Sequence, residues 1–234
     1  MRISEFIPRF TKFELVLWGA SVSAVTCAFL LGGMNSYLNL FASVTGVSAL
    51  IFVAKGNVIG QVLTFVFAIL YAVISFEQRY YGEMITYIGM TGVIAIVSVY
   101  AWIKHPSRES AAEVRVGEMS KKDALIMFAL AVSVTAAFYS ILDFLGTENI
   151  IFSTVSVTTS FLASYLSYRR IPEYALAYAA NDVVLIILWV SASFNNISYL
   201  SMVACFATFL FNDIYGYFNW KRIRKNQKKF GLDS

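Results

Sequence analysis

Two Asn-Asp pairs, Asn181-Asp182 and Asn212-Asp213, interrupt apolar runs that are each long enough to cross a bilayer. A carboxyl group at membrane depth is costly, so it faces a bundle interior or a wet cavity and marks a functional position. In the first run Tyr174, Tyr178, Asn181, Asp182 and Trp189 fall on one broad helical face. Amides supply donors and acceptors together, and carboxylates accept from sugar hydroxyls. Tyrosine rings offer a stacking face, and a cationic ring over them gains about 0.5–2 kcal/mol. No lysine or arginine falls inside the predicted spans, so a phosphate would be poorly served. The pattern points to a small nucleoside-like or vitamin-like molecule bound by transmembrane helices.

Other spans carry polar stripes at steps of three to four residues. The third has Asn57, Gln61, Thr64, Tyr71 and Ser75, and the fourth has Glu83, Tyr87, Thr91, Ser98 and Trp102. The eighth has Thr208, Asn212, Tyr215, Gly216 and Asn219, with Asp213 adjacent. The candidate substrate-binding set is therefore Gln61, Tyr87, Tyr178, Asn181, Asp182, Asn212, Asp213 and Tyr215. This reading requires Asp182 and Asn212 to share one chamber near the middle of the membrane. The serines and threonines of the sixth span, Ser153 to Ser167, are read instead as small residues that let helices approach. Glu77 and Glu83 lie near helix ends and are read as solvated. Trp102, Trp220, Tyr80 and Tyr81 are read as interfacial anchors.

Composition sets the class. Of 234 residues 59% are hydrophobic and 14% charged, where a soluble domain carries about 25% charged residues. The chain is an all-α integral membrane protein. Cys27 and Cys205 lie in apolar segments and His105 is the one histidine, so no metal, haem or disulfide framework is expected. There is no cofactor motif, no Ser-His-Asp set and no phosphate-binding glycine loop, which argues against an enzyme. A channel filter and a cleavable signal peptide are likewise absent from the pattern.

Eight stretches reach spanning length, roughly 13–33, 36–54, 57–76, 83–103, 123–145, 150–168, 173–193 and 197–220. Ser120 followed by Asp123 predicts the start of the fifth. With a cytoplasmic N-terminus, all 18 lysines and arginines except Arg79 lie inside, Arg2 and Arg108 among them, while Glu148 and Asp143 lie outside. That bias predicts both termini in the cytoplasm of a bacterial inner membrane. It also accounts for the basic residues without nucleic acid, although KRIRKNQKK after Trp220 suits anionic membrane lipid. The spans divide into a triplet over about 36–104, a linking helix over about 123–145 and a second triplet over about 150–222, all in one transporter domain. A single linking span makes the triplets parallel, with a site between them, and leaves the first span peripheral.

Lys55-Gly56-Asn57 with Gln61, Tyr80-Tyr81-Gly82-Glu83-Met84, the stretch Glu173 to Asp182, and Asn212-Asp213-Ile214-Tyr215-Gly216 ending at Trp220-Lys221 occur in that order. Together they resemble the PnuC family of vitamin transporters, from about Phe13 to Arg224. The resemblance implies a SWEET-like three-plus-one-plus-three fold, a homotrimer, that works by alternating access. It implies facilitated diffusion of nicotinamide riboside, trapped afterwards by cytoplasmic phosphorylation. Relatives in the family carry thiamine, riboflavin or deoxynucleosides, and proton coupling through Asp182 or Asp213 is the mechanistic alternative. Riboside carriers present two tryptophans three residues apart before the Asn or Asp; here Ala175 and Tyr178 stand at those places. Gly56, Gly60 and Gly82 are the candidate hinges.

Overall fold

The computed structural model describes residues 8–33, 36–107, 113–147 and 149–229; Arg2, Arg108 and Glu148 of the charge pattern lie outside them. The spans are α1 (Lys12–Leu31), α2 (Tyr37–Ala54), α3 (Val58–Glu77), α4 (Tyr81–Thr86) running through a π-helical turn (Tyr87–Gly92) into α5 (Val93–Lys104), α6 (Lys121–Phe144), α7 (Ile150–Tyr168), α8 (Tyr174–Asn195) and α9 (Leu200–Lys229). All eight are long and apolar enough to cross a membrane. Among the described residues there is no named strand. The last helix continues well past the expected boundary near 220, because KRIRKNQKK is rich in straight-chain helix formers. Ser120 caps α6 reciprocally with Asp123, as its spacing predicts.

Six spans close a ring. Going round it, α2 packs on α3, α3 on the α4–α5 span, that span on α7, α7 on α8, α8 on α9, and α9 back on α2. Exchanging the two triplets leaves this order of neighbours unchanged. The remaining helices sit outside the ring at equivalent places. Helix α1 packs on α2 and α9, and α6 packs on α7 and more lightly on α4. Each therefore lies against the first helix of the triplet that follows it and the last helix of the other.

The equivalence reaches single hydrogen bonds. Thr11 and Glu14 form a capping box on α1, and Ser120 and Asp123 form one on α6. Glu14 then pairs with Lys55, the C-cap of α2, at 3.0 Å; Asp123 pairs with Arg169, the C-cap of α7, at 2.6 Å. The next residues, Gly56 and Arg170, both take positive φ, at 65° and 61°. Trp220 Nε1 donates to the Val53 carbonyl at 2.9 Å and Trp102 Nε1 to the Ser167 carbonyl at 3.4 Å. Both acceptors lie two residues before those C-caps. The first span, read from sequence as peripheral to the repeat, thus has its counterpart in α6.

The end of the bundle that carries Lys55, Lys104, Arg169 and Lys221 (the basic end) is crossed by the segment 113–117. Val114 N donates to Gly56 O and Gly117 N to Arg170 O, each at 2.9 Å. Its amides thus reach the same turn in both halves. Val114 and Val116 pack with Trp102, Trp220, Tyr174 and Val53, which makes Trp102 and Trp220 buried plugs at 2% and 0% exposure, not interfacial anchors. Toward the far end Phe67, Tyr71, Tyr80, Tyr87, Trp189, Tyr199, Phe206 and Phe209 form a second layer. Trp189 Nε1 donates to the Tyr71 hydroxyl at 2.8 Å, which ties α8 to α3 across it.

Glu14 is fully buried and accepts from Lys55 and from the Tyr215 hydroxyl, which fastens α1 to α2 and α9 together. Breaking the pair leaves the partly buried Lys55 ammonium without its partner, at a cost below the roughly 3–5 kcal/mol of a fully buried pair. Glu14→Ala is expected to lower the thermal unfolding midpoint of detergent-purified protein strongly. The double variant Glu14→Leu with Lys55→Met, which removes both charges, is expected to recover most of that loss.

Candidate functional site

Between the two aromatic layers lies one chamber to which every member of the ring contributes. Its walls are Gly46, Ala49, Leu50 and Val53 of α2, Gln61, Thr64 and Phe67 of α3, Tyr87 and Thr91 of the π-helical turn, Ser167 of α7, Tyr178 and Asp182 of α8, and Phe209 and Asp213 of α9. The space between these walls, mouth included, is about 540 Å³, of which about 50 Å³ admits the centre of a water molecule. The first figure includes the open mouth and overstates the enclosed site. The second is room for a few waters, so a larger guest must displace side chains.

Local geometry explains which groups point inward. Asn57 caps α3, which sets the phase of that helix so that Gln61 reaches across to α7 and donates to Ser167 Oγ at 3.2 Å. Gly60 packs its backbone against Val53, where a Cβ would sit 2.5 Å from the Val53 nitrogen. This contact brings α2 and α3 together beside the chamber. The wide π-helical turn places Tyr87 and Thr91, four residues apart, on the same wall. Tyr178 meets Ser164 at 3.2 Å. The carboxyl groups of Asp182 and Asp213 lie within hydrogen-bonding reach of one another across the α8–α9 contact. No N–H or hydroxyl donor reaches Asp182 Oδ2. A hydrogen bond between two carboxyl groups needs a proton on at least one of them. Among the described residues no lysine, arginine or histidine lines the chamber.

The eight residues singled out from sequence divide into two groups. Gln61, Tyr87, Tyr178, Asp182 and Asp213 converge on the chamber. Asn181, Asn212 and Tyr215 do not. Asn181 Oδ1 faces α7, near Ser156 Oγ at 3.1 Å and Thr159 Oγ1 at 2.9 Å. Asn212 Nδ2 turns outward to Ser21 Oγ of α1 at 3.1 Å and to its own Thr208 carbonyl at 2.7 Å. Tyr215 belongs to the Glu14 anchor at 2.8 Å. The wall of α9 is thus the Phe209–Asp213 face, one step round from the expected one, and Asp213 takes the place foreseen for Asn212 opposite Asp182. Along α8, Tyr174 joins the basic-end layer against Trp220, ring centroids 5.1 Å apart, and Trp189 joins the far-end layer.

Sequence reasoning missed Phe67 and Phe209 on the chamber wall and misread three polar residues near it. Ser167 and Ser164 come from the track read as packing residues, and both hold polar groups of the chamber. Glu83, read as solvated, is fully buried. Of the candidate hinges Gly56 alone has positive φ, while Gly60 and Gly82 sit in tight contacts with Val53 and with Leu142 and Ser153. Gly46 also matters, since a Cβ there would stand 2.3 Å from Phe209 Cζ. Gly46→Val is expected to push Phe209 into the chamber and abolish ligand-induced thermal stabilisation, with little change in the unliganded midpoint if the ring can turn inward.

Comparison with known proteins gives this site a context. The family profile described as nicotinamide mononucleotide transporter matches residues 36–222. The chain is 28% identical over 227 residues to the nicotinamide riboside transporter PnuC of Neisseria mucosa, covering 94% of this chain and 85% of that one. It is 19% identical over 222 residues to the transporter of the same name from Haemophilus influenzae, covering 94% and 95%. Its fold matches the crystal structure of the vitamin B3 transporter PnuC with a TM-score of 0.84 at 26% identity, over 97% of this chain and 99% of that one. Eight apolar spans, a polar chamber walled by six of them and a profile match across both triplets identify the chain as a member of the nicotinamide mononucleotide transporter (PnuC) family of membrane transporters.

Proposed function

We propose that this protein carries nicotinamide riboside across the bacterial inner membrane by facilitated diffusion. The observation that carries this reading is the acidic, cation-free chamber. On this reading Asp182 and Asp213 share one proton, and their single negative charge matches the single positive charge of a pyridinium ring and accepts from ribose hydroxyls. Gln61 offers an amide to the carboxamide, and Phe67, Tyr87, Tyr178 and Phe209 offer aromatic faces. A phosphate would meet that same negative charge with no lysine or arginine to offset it. The nucleoside is therefore favoured over the mononucleotide of the family's description.

The two aromatic layers are the gates of an alternating-access cycle about the near-symmetric ring, in the manner of a SWEET-like fold. The lysine and arginine bias supports a cytoplasmic basic end and cytoplasmic termini, and on this reading phosphorylation by a soluble kinase traps the product there. By the same resemblance the carrier is a homotrimer in lipid; its mass after crosslinking checks this.

Purified protein is expected to be stabilised by nicotinamide riboside, by about 2.7 kcal/mol at a concentration 100 times Kd, and not by nicotinamide mononucleotide. Stronger stabilisation by thiamine, riboflavin or a deoxynucleoside would reassign the cargo. Asp182→Ala is expected to weaken riboside binding about 10- to 100-fold, the range for hydrogen bonds to a charged group, and to remove uptake while leaving insertion intact. A fully active variant would take Asp182 out of the site.

The same carboxyl pair supports a second reading, in which its shared proton moves with the substrate. Counterflow in liposomes separates the two. Uptake that levels off at equal riboside concentrations despite an imposed pH gradient marks a uniporter, and accumulation driven by the gradient marks a proton-coupled carrier.

A further inference from the structure

A second buried acid lies off the chamber wall. Glu83 stands in the first turn of α4, with 0% exposure, at the seam where the last span of the first triplet meets α7 of the second. Its Oε2 lies 3.0 Å from Ser156 Oγ, which is also 3.1 Å from Asn181 Oδ1. Its Oε1 is buried with no partner. The groups facing this carboxyl carry no compensating charge. The titratable groups that feel it are Tyr71 of α3 and Tyr87 of the π-helical turn; α7 offers Ser156, behind which stands Asn181 of α8. Beside Glu83, Gly82 is packed by Leu142 of α6 and Ser153 of α7.

Counting hydrogens constrains the cluster. Ser156 has one hydroxyl proton and stands between two acceptors, so an ionised Glu83 leaves one of these contacts without a hydrogen. A proton on Glu83 resolves it, running Glu83 O–H to Ser156 Oγ and Ser156 O–H to Asn181 Oδ1. Turning the Asn181 amide over would supply donors instead. An ionised Glu83 would still be a charge at membrane depth with one hydroxyl donor, one bare oxygen and no cation, which such an environment does not sustain.

We propose that Glu83 is a proton-carrying positioning residue for transport: with its proton it ties the α4–α7 seam through Ser156 and holds Asn181, and hence the turn of α8 that presents Asp182, in place. When the seam opens to water Glu83 releases the proton to that side, and when the seam closes it takes one back from the same side. No proton crosses the membrane in this step. Closure of the seam, and with it uptake, then slows as the pH on that side rises.

The proposal rests on the transport reading for its second half only, and two measurements keep the halves apart. Infrared spectra of purified protein in lipid are expected to show a protonated-carboxyl C=O band that disappears in Glu83→Gln and survives in Asp182→Asn with Asp213→Asn. A spectrum unchanged by Glu83→Gln overturns the proton assignment, whatever the cargo. In proteoliposomes, uptake of labelled nicotinamide riboside is expected to fall about tenfold per unit of external pH on the alkaline side of the profile. Glu83→Gln, whose amide keeps donating to Ser156, is expected to flatten that profile, and Glu83→Ala to transport slowly at every pH. Equal pH profiles for the wild type and Glu83→Gln overturn the positioning role. Absence of any riboside uptake, with the infrared band intact, faults the cargo and not the protonated acid.

Discussion

A carboxyl group inside the hydrocarbon layer must find a hydrogen-bond partner or a cation, and among the described residues no cation lines the chamber inside the ring. The rest of the arrangement is organised by that constraint. Asp182 and Asp213 can remain at membrane depth because each faces the other, which requires α8 and α9 to present these two positions to a common space. Gln61 and Tyr178 are held in turn by Ser167 and Ser164 of α7. The chamber is thus the place where polar groups that cannot face lipid satisfy one another, and its walls come from all six ring spans for that reason. Glu14, an acid that does have a cation partner, lies outside the ring at the basic end, where Lys55 at the end of α2 reaches it.

Spans, their number and the class of the protein were legible because length and apolarity decide them almost alone. The direction of individual side chains was not. Asn181-Asp182 and Asn212-Asp213 are neighbours in sequence, and neighbours on a helix point about 100° apart. One member of each pair can face the chamber while the other must find a different partner. Periodicity does not choose between them when both are polar. The choice was made by what the adjoining helix offers: Ser21 on α1 for Asn212, Ser156 and Thr159 on α7 for Asn181. Glu83 was misread for a related reason. A position at a helix end is solvated only if that end stands in water, and α4 begins beneath a layer of buried aromatic residues that includes Tyr80.

The correspondence between the two halves was weakly legible for a chemical reason. Its marks are conserved in role and changed in residue type: Thr and Glu against Ser and Asp in the capping boxes, Lys against Arg at the C-caps, Gly against Arg in the left-handed turn. A capping box needs a hydroxyl and an acid three residues later, and an ion pair needs only opposite signs, so residue identity can drift while geometry is kept. The two tryptophan indoles remain of one type because each must fill a plug and donate to a carbonyl at once. Read with those roles in mind, Thr11-x-x-Glu14 and Ser120-x-x-Asp123 are the same signal before two equivalent helices.

The two halves are braced differently. Helix α1 is fastened across the α2–α9 seam by Glu14 to both Lys55 and Tyr215 and by Ser21 to Asn212. Its counterpart α6 pairs with Arg169 of its own half and touches α4 only lightly. The α4–α7 seam is held instead from within, by Glu83 on Ser156 near the far end and by Trp102 on the Ser167 carbonyl near the basic end. One seam is braced by a third helix, and the other by single hydrogen bonds at two depths. A ring of this kind separates more easily along the second seam than along the first. Ser167 gives its carbonyl to Trp102 and its hydroxyl to Gln61, so a displacement of the basic-end plug reaches the chamber wall through one residue.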